Sequence, residues 1–270
     1  MSGRLEVTIL GCGSSGGVPR ADGNWGQCDP DDPRNRRTRC SLLVRRQGEA
    51  PEEPQTTVIV DTAPDLRVQT AAAGVKRVDA ALFTHDHADQ THGIDDLRAF
   101  AMVAQRRVPC IMDAETLATM MARFAYIFKD TGGYPAICDA EFLPPHGRPW
   151  TVEGPSGPIP VTTFHQAHGP IASVGYRFGG VAYSSDVSDL DEAAFEALQG
   201  LDLWIVDALR WKPHPTHADV AKALGWIEQV RPKRAVLTNM HVDLDYATLA
   251  AQLPEGVEPA YDGWRTTVDI

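Results

Sequence analysis

The spacing of apolar positions along the chain predicts short strands alternating with helices from residue 5 to residue 268. Leu5, Val7 and Ile9 recur at every second residue around Glu6 and Thr8, which is the period of a strand. Strands are predicted over 39–46 and 56–61, and residues 47–54 between them have the Gly, Glu and Pro content of a hairpin tip. A helix over 65–73 stops at Gly74, and the apolar run 79–84 suits a buried strand. Helices over 94–103 and 114–128 bracket a strand over 108–112. Residues 18–38 read as a long irregular loop, and residues 129–157 as an irregular flap in which Tyr134 and Phe142 are candidates for a pocket wall. Strands follow over 159–164, 172–178, 181–185, 203–207 and 235–238, with helices over 189–198 and after His217, where Val220, Leu224 and Ile227 keep helical spacing. The last strands, 258–261 and 265–268, read as a hairpin turned at Asp262-Gly263. Such alternation predicts an α/β fold in which helices cover sheets, and a length of 270 residues suits a single domain over 1–270.

Chemistry concentrates where one strand ends. After the run 79–84 come His85, His87, Asp89, Gln90 and His92, followed by Gly93, a natural turning point. In an extended or loop conformation alternate side chains share a side, so His85, His87 and Asp89 can converge; a helix would separate them. Imidazole with carboxylate suits Zn²⁺, Mn²⁺ or Fe²⁺ better than Ca²⁺ or Mg²⁺. His165 and His168 form a second His-bearing segment near a strand end, and Asp186 closes the strand that ends Tyr183-Ser184-Ser185. His217 precedes a helix, whose partly positive N-terminus attracts phosphate oxygens.

Bulk properties narrow the setting. A formal charge of -11 argues against a broad polyanion-binding surface, so no stable nucleic-acid partner is expected. The cysteines at 12, 28, 40, 110 and 138 form no Cys-x-x-Cys pair and no even framework, which fits a reducing, cytoplasmic location. The first residues lack a charged-then-apolar leader, and no apolar run reaches membrane length, so a soluble protein without a membrane partner is expected. Gly11 to Gly16 spell G-x-G-x-x-G, but Val18-Pro19 continues as loop where a dinucleotide site needs a helix. Arg34, Arg36, Arg37, Arg39, Arg45 and Arg46 cluster within an acidic chain and could meet a small phosphorylated ligand.

The segment Thr84-His85-Asp86-His87-Ala88-Asp89 resembles the metal-binding signature of the metallo-β-lactamase superfamily. With Gly16-Gly17-Val18-Pro19, Trp25-Gly26, Arg36-Arg37, Cys40-Ser41, Ser185-Asp186, His217 and Leu237-Thr238, the likeness runs nearly end to end toward the branch of phosphoribosyl cyclic phosphodiesterases. It implies an αββα sandwich and a metal-dependent hydrolase, most directly a phosphodiesterase acting on a small cyclic phosphate or nucleotide-like phosphodiester. It also selects His168 over His165 and implies that His85, His87, His168 and Asp186 hold a first ion. Asp89 would bind a second ion or orient the nucleophile, and His217 would hold the phosphate or protonate the leaving oxygen. Arg36 and Arg37 would add phosphate contacts. A metal-bound water ionises near neutral pH, which would supply the nucleophile.

The chain departs from the branch at particular residues. Only Cys28 remains of a cysteine-rich zinc loop, so no structural zinc is expected. Gln90 and Asn239 stand where the branch carries second-ion histidines, and carboxamide is the poorer ligand. Either His241, helped by His92, rebuilds that site, or one ion of Zn²⁺ or Mn²⁺ dominates. Thioester or amide hydrolysis on the same site and a non-catalytic accessory role are the rival readings, and a homodimer is left open.

Overall fold

A computed structural model describes residues 3–48, 50 and 53–270, so residues 49, 51 and 52 of the hairpin tip expected over 47–54 lie outside the described residues. Six strands, β1 (Arg4–Gly11), β2 (Ser41–Arg46), β3 (Thr56–Val60), β4 (Ala80–Leu82), β5 (Val108–Met112) and β6 (Cys138–Phe142), line up in chain order in one sheet. The next seven, β7 (Trp150–Val152), β8 (Ile159–His168), β9 (Ile171–Phe178), β10 (Val181–Ser184), β11 (Leu203–Asp207), β12 (Arg234–Thr238) and β13 (Val257–Pro259), form the other. The last strand, β14 (Arg265–Asp269), returns to the first sheet beside β1. Helices α1 (Leu66–Ala72), α2 (Ala88–Thr91), α3 (Leu97–Ala104), α4 (Ala114–Arg123) and α5 (Ala125–Phe128) belong to the first half, and α6 (Glu192–Ala197), α7 (Val220–Val230) and α8 (Tyr246–Ala250) to the second.

The pleat sorts apolar residues into two cores. Leu42 and Val44 on β2, with Val58 and Val60 on β3, face inward and pack with Tyr176, Tyr183 and Ile205 of the other sheet. Leu43 and Ile59, one residue out of step, face the opposite way and pack with Leu66, Leu97 and Met120 from the helices. A sheet covered on both faces explains why its strands read as continuous apolar runs. The chain therefore folds as an αββα sandwich with every buried layer apolar, and all five cysteines are buried and unpaired. Among the described residues, no helix is long and apolar enough to cross a membrane.

Local departures from the predicted elements have visible causes. The helix expected over 114–128 breaks at Phe124, whose backbone (φ -130°, ψ 35°) leaves the helical region. The flap over 129–157 contains β6 and β7, because both are edge strands with polar or exposed residues that mask the alternation. Tyr134 and Phe142 are exposed there, outside the cleft described below. The expected terminal hairpin does not form: β13 pairs with β12 and β14 with β1, so the turn at Asp262-Gly263 carries the chain from one sheet to the other. Half-buried Asp262 holds that position by accepting hydrogen bonds from Cys12 N at 3.1 Å, Thr38 N at 2.7 Å and Thr38 Oγ1 at 2.6 Å.

Candidate active site

Parallel pairing aligns the C-terminal ends of β3 and β4 in one sheet and of β10, β11 and β12 in the other, and polar residues stand at or just beyond each end. Asp61, Asp186 and Asn239, each just beyond a strand, take left-handed backbone conformations with φ of 63°, 55° and 60°. Asx residues tolerate that region better than other side chains, so the chain turns sharply there while still presenting a polar group. At Gly93 the need is space: a Cβ would strike the carbonyl oxygen of Ala63, which packs under the His85 segment.

Three imidazoles converge at this rim. The His85, His87 and His168 ring centres lie 4.5–5.1 Å apart. Hydrogen bonds fix which nitrogens face inward. His168 Nδ1 donates to Thr216 O at 2.7 Å, which leaves Nε2 as a lone pair 3.3 Å from His87 Nδ1. Thr84 Oγ1 donates to the Asp61 carboxylate at 2.9 Å, so His85 Nδ1 donates to Thr84 at 3.0 Å and its Nε2 is left buried without a partner. Burial lowers His85 to about 3 and lowers His168 too, so these two rings are neutral and ligand-ready. Their two inward lone pairs, one of them orphaned in the interior, together with the His87 ring are the donor set a divalent transition cation satisfies.

Asp186 joins the cluster with Oδ1 3.9 Å from His168 Nε2. Burial works to raise its carboxyl, but His85, His217 and His168 outweigh that and hold it below the usual range. Its Oδ2 accepts from Gln90 Nε2 at 2.9 Å and Ser185 Oγ at 2.6 Å. His217 donates from Nδ1 to the fully buried Asp207 at 2.9 Å. Burial opposes charge on His217, yet Asp207, then Asp186 and Asp89, raise it to about 9. Burial raises Asp207 to about 6 against the pull of His217, so the two form an ion pair between about pH 6 and about pH 9. Asp89 is raised to about 6 by burial and by Asp186.

His87, Asp89, His168, Asp186 and His217 border a cleft of about 460 Å³ that Ser14, Arg20, Arg210, His214 and His241 also line. A second, more apolar cleft of about 310 Å³ lies between Val68, Gln69 and Asp262, away from every ring of the cluster.

The structure brings His87, His168, Asp186, Asp89 and His217 to the same cleft, with His85 buried within the imidazole cluster and Asp89 on the first turn of α2 rather than in the extended loop. Gln90 reaches the site through Asp186. His241 borders the cleft with Nε2 against Arg20 and Nδ1 3.1 Å from Asp243, and it joins neither group of candidate ligands. His92 is exposed, with its ring against Phe124. Exposed His165 faces Asp191 instead. Arg36 lies over Trp25, and Arg37 is buried, bonded to Asn35 Oδ1 and His241 O, so neither guanidinium reaches the cleft. Cys28 packs with Val18 and Val242, its thiol donating to the carbonyls of Val242 and Leu244. Sequence reading passed over Arg20 and Asp207; the signals were an arginine at the exit of a glycine-rich loop and an aspartate ending an apolar strand.

The model of the family described as "Beta-lactamase superfamily domain" matches residues 56–240. A crystal structure of a new diphosphatase from the PhnP family superposes with a TM-score of 0.85 at 32% identity, covering 100% of this chain and 99% of that one. Zn²⁺-bound PqqB from Methylobacterium extorquens shares the fold at 17% identity, with a TM-score of 0.72 and coverage of 98% and 100%. An octanoyltransferase of Porphyromonas gingivalis (strain ATCC BAA-308 / W83) is 29% identical over 98% of this chain, which spans only 52% of that protein. With its layers, its histidine cluster and these relatives, the chain belongs to the metallo-β-lactamase superfamily, in the branch of the PhnP family.

Proposed function

We propose that this metallo-β-lactamase-fold hydrolase is a metal-dependent phosphodiesterase acting on a small cyclic phosphate or nucleotide-like phosphodiester. The observation that carries the reading is that Arg20, Arg210 and His214 line the same cleft as His87, Asp89, His168, Asp186 and His217, where they would neutralise phosphate oxygens. His85, His87, His168 and Asp186 would hold Zn²⁺ or Mn²⁺. Such an ion supplies an ionised water near neutral pH and polarises a phosphoryl oxygen.

The chain's own residues do the rest. Asp89, half-buried at the cleft, orients the attacking water or accepts its proton. His217 keeps Nδ1 on Asp207 and turns Nε2 to the cleft, where it donates a proton to the leaving oxygen. Asp207 keeps that ring charged and oriented. The diphosphatase relative supports a phosphate substrate.

Thioester or amide hydrolysis is the second reading, favoured by the octanoyltransferase name, although nearly half of that protein lies outside the match. An acyl substrate leaves Arg20 and Arg210 without a charge to meet. Phosphorus NMR separates the two. Zn²⁺- or Mn²⁺-loaded protein incubated with ribose 1,2-cyclic phosphate and 2′,3′-cyclic nucleotides should open at least one to a monoester, and a chelator should stop it. Absence of turnover in every metal form, alongside cleavage of an acyl thioester, would replace this reading with the second.

A further inference from the structure

Asp186 presents its oxygens to different neighbours. Oδ1 lies 3.9 Å from His168 Nε2 and 4.0 Å from His217 Nδ1, on the side of the imidazole cluster. Oδ2 points away and already accepts from Gln90 Nε2 and Ser185 Oγ, both fully buried. A carboxylate that bridges two ions through both of its oxygens gives one to each. Here the second oxygen is saturated by donors that have no water to return to if displaced.

The other candidate donors for a second ion face different neighbours. The Asn239 amide lies 3.2 Å from His217 Nδ1, and that nitrogen serves Asp207. His241 is held between Arg20 and Asp243, and His92 faces Phe124. Among the described residues, donor groups close enough to share an ion are His85 with His87 and His168, and His168 with Asp186 and His217. The groups share His168, whose one inward nitrogen serves a single ion, so Asp186 extends the ligands of that position, and His217, the third member of the second group, has its Nδ1 committed to Asp207. Asp89 remains as a lone carboxylate, short of the three protein ligands a transition ion takes.

We propose that the centre is mononuclear: one transition ion on His85, His87, His168 and Asp186 Oδ1, with the Gln90 amide and Ser185 hydroxyl occupying Oδ2 in place of a second ion. Gln90 and Asn239 are the residues that exclude it, because neither carboxamide replaces imidazole for such a metal. The inference rests on the ion-binding part of the proposed function and not on the identity of the substrate.

Metal stoichiometry and electron paramagnetic resonance of the full chain test it without reference to turnover. After loading with excess Zn²⁺ and buffer exchange, elemental analysis should return one ion per chain, and the Mn²⁺ form should give the six-line signal of an isolated ion. The double variant Gln90→His with Asn239→His should retain two. Two ions in the unsubstituted chain, or a spin-coupled Mn²⁺ pair, overturns the proposal. A folded double variant that stays at one ion overturns the role given to Gln90 and Asn239. No retained ion in any form overturns the metal reading itself, whichever substrate is cleaved.

Discussion

The histidine wall of the cleft, where His87 and His168 stand with buried His85, and the arginine wall, where Arg20 and Arg210 stand with His241, are held in different ways. The histidine wall is backed by buried partners: Asp61 and Thr84 fix His85, the Thr216 carbonyl fixes His168, and His85, His168 and Asp186 are nearly inaccessible. The arginine wall is half-buried, and Arg210 is tied to the carbonyls of Lys212 and Pro213 in its own loop. Rigidity on one side suits fixed coordination geometry, and adaptability on the other suits a substrate that arrives and leaves. His217 stands between them, buried at Nδ1 and facing the cleft with the rest of its ring.

Substitutions on the two walls should separate accordingly. His168→Ala removes an inward lone pair from the shared ligand, so retained ion and turnover should both fall to background; elemental analysis with an activity assay checks this. Asp61→Ala leaves the ligands in place but frees the Thr84 hydroxyl and the His85 ring, and ion affinity should weaken about 10- to 100-fold in a competition titration. Arg20→Ala should lower kcat/KM for a phosphodiester by about 10-fold or more while ion content stays at the unsubstituted level. If Arg20→Ala also lost the ion, the two walls would not be independent.

The pH dependence tests the residue between the walls. His217 is raised above its unfolded value of 6.5 to about 9, so its stabilising contribution is complete below pH 6.5 and disappears as pH rises through about 9. In metal-free protein the stability advantage over His217→Gln, measured by urea unfolding, should therefore shrink between those limits. The smallest effect belongs to Arg36→Ala, whose exposed guanidinium over Trp25 should change stability by less than about 0.5 kcal/mol and leave kcat/KM untouched.

What could be read from sequence depended on how locally each feature is encoded. The His85 to Asp89 segment follows a strand directly, so its ligands are contiguous and their convergence is legible. Asp186 and His217 were legible because each marks an element boundary. Arg20 meets His241 only through long-range packing, and no local pattern joins residues 221 positions apart. Arg37 shows the converse: it sits in a basic run, yet its guanidinium is drawn inward to Asn35 and the His241 carbonyl. The sheet exchange at Asp262 was hidden because Asp-Gly has the local chemistry of a hairpin turn, whereas the distant amides of Cys12 and Thr38 decide where the chain goes.

The most direct test of the account is His217→Ala, assayed for ion content and phosphodiester turnover on the same preparation. Unchanged ion content with turnover reduced about 100- to 10,000-fold is the predicted result, because the substitution removes a proton donor and leaves His85, His87, His168 and Asp186 intact. Undiminished turnover, or loss of the ion together with activity, would contradict the role given to His217 and with it the division of the cleft into an ion-holding wall and a substrate-holding wall.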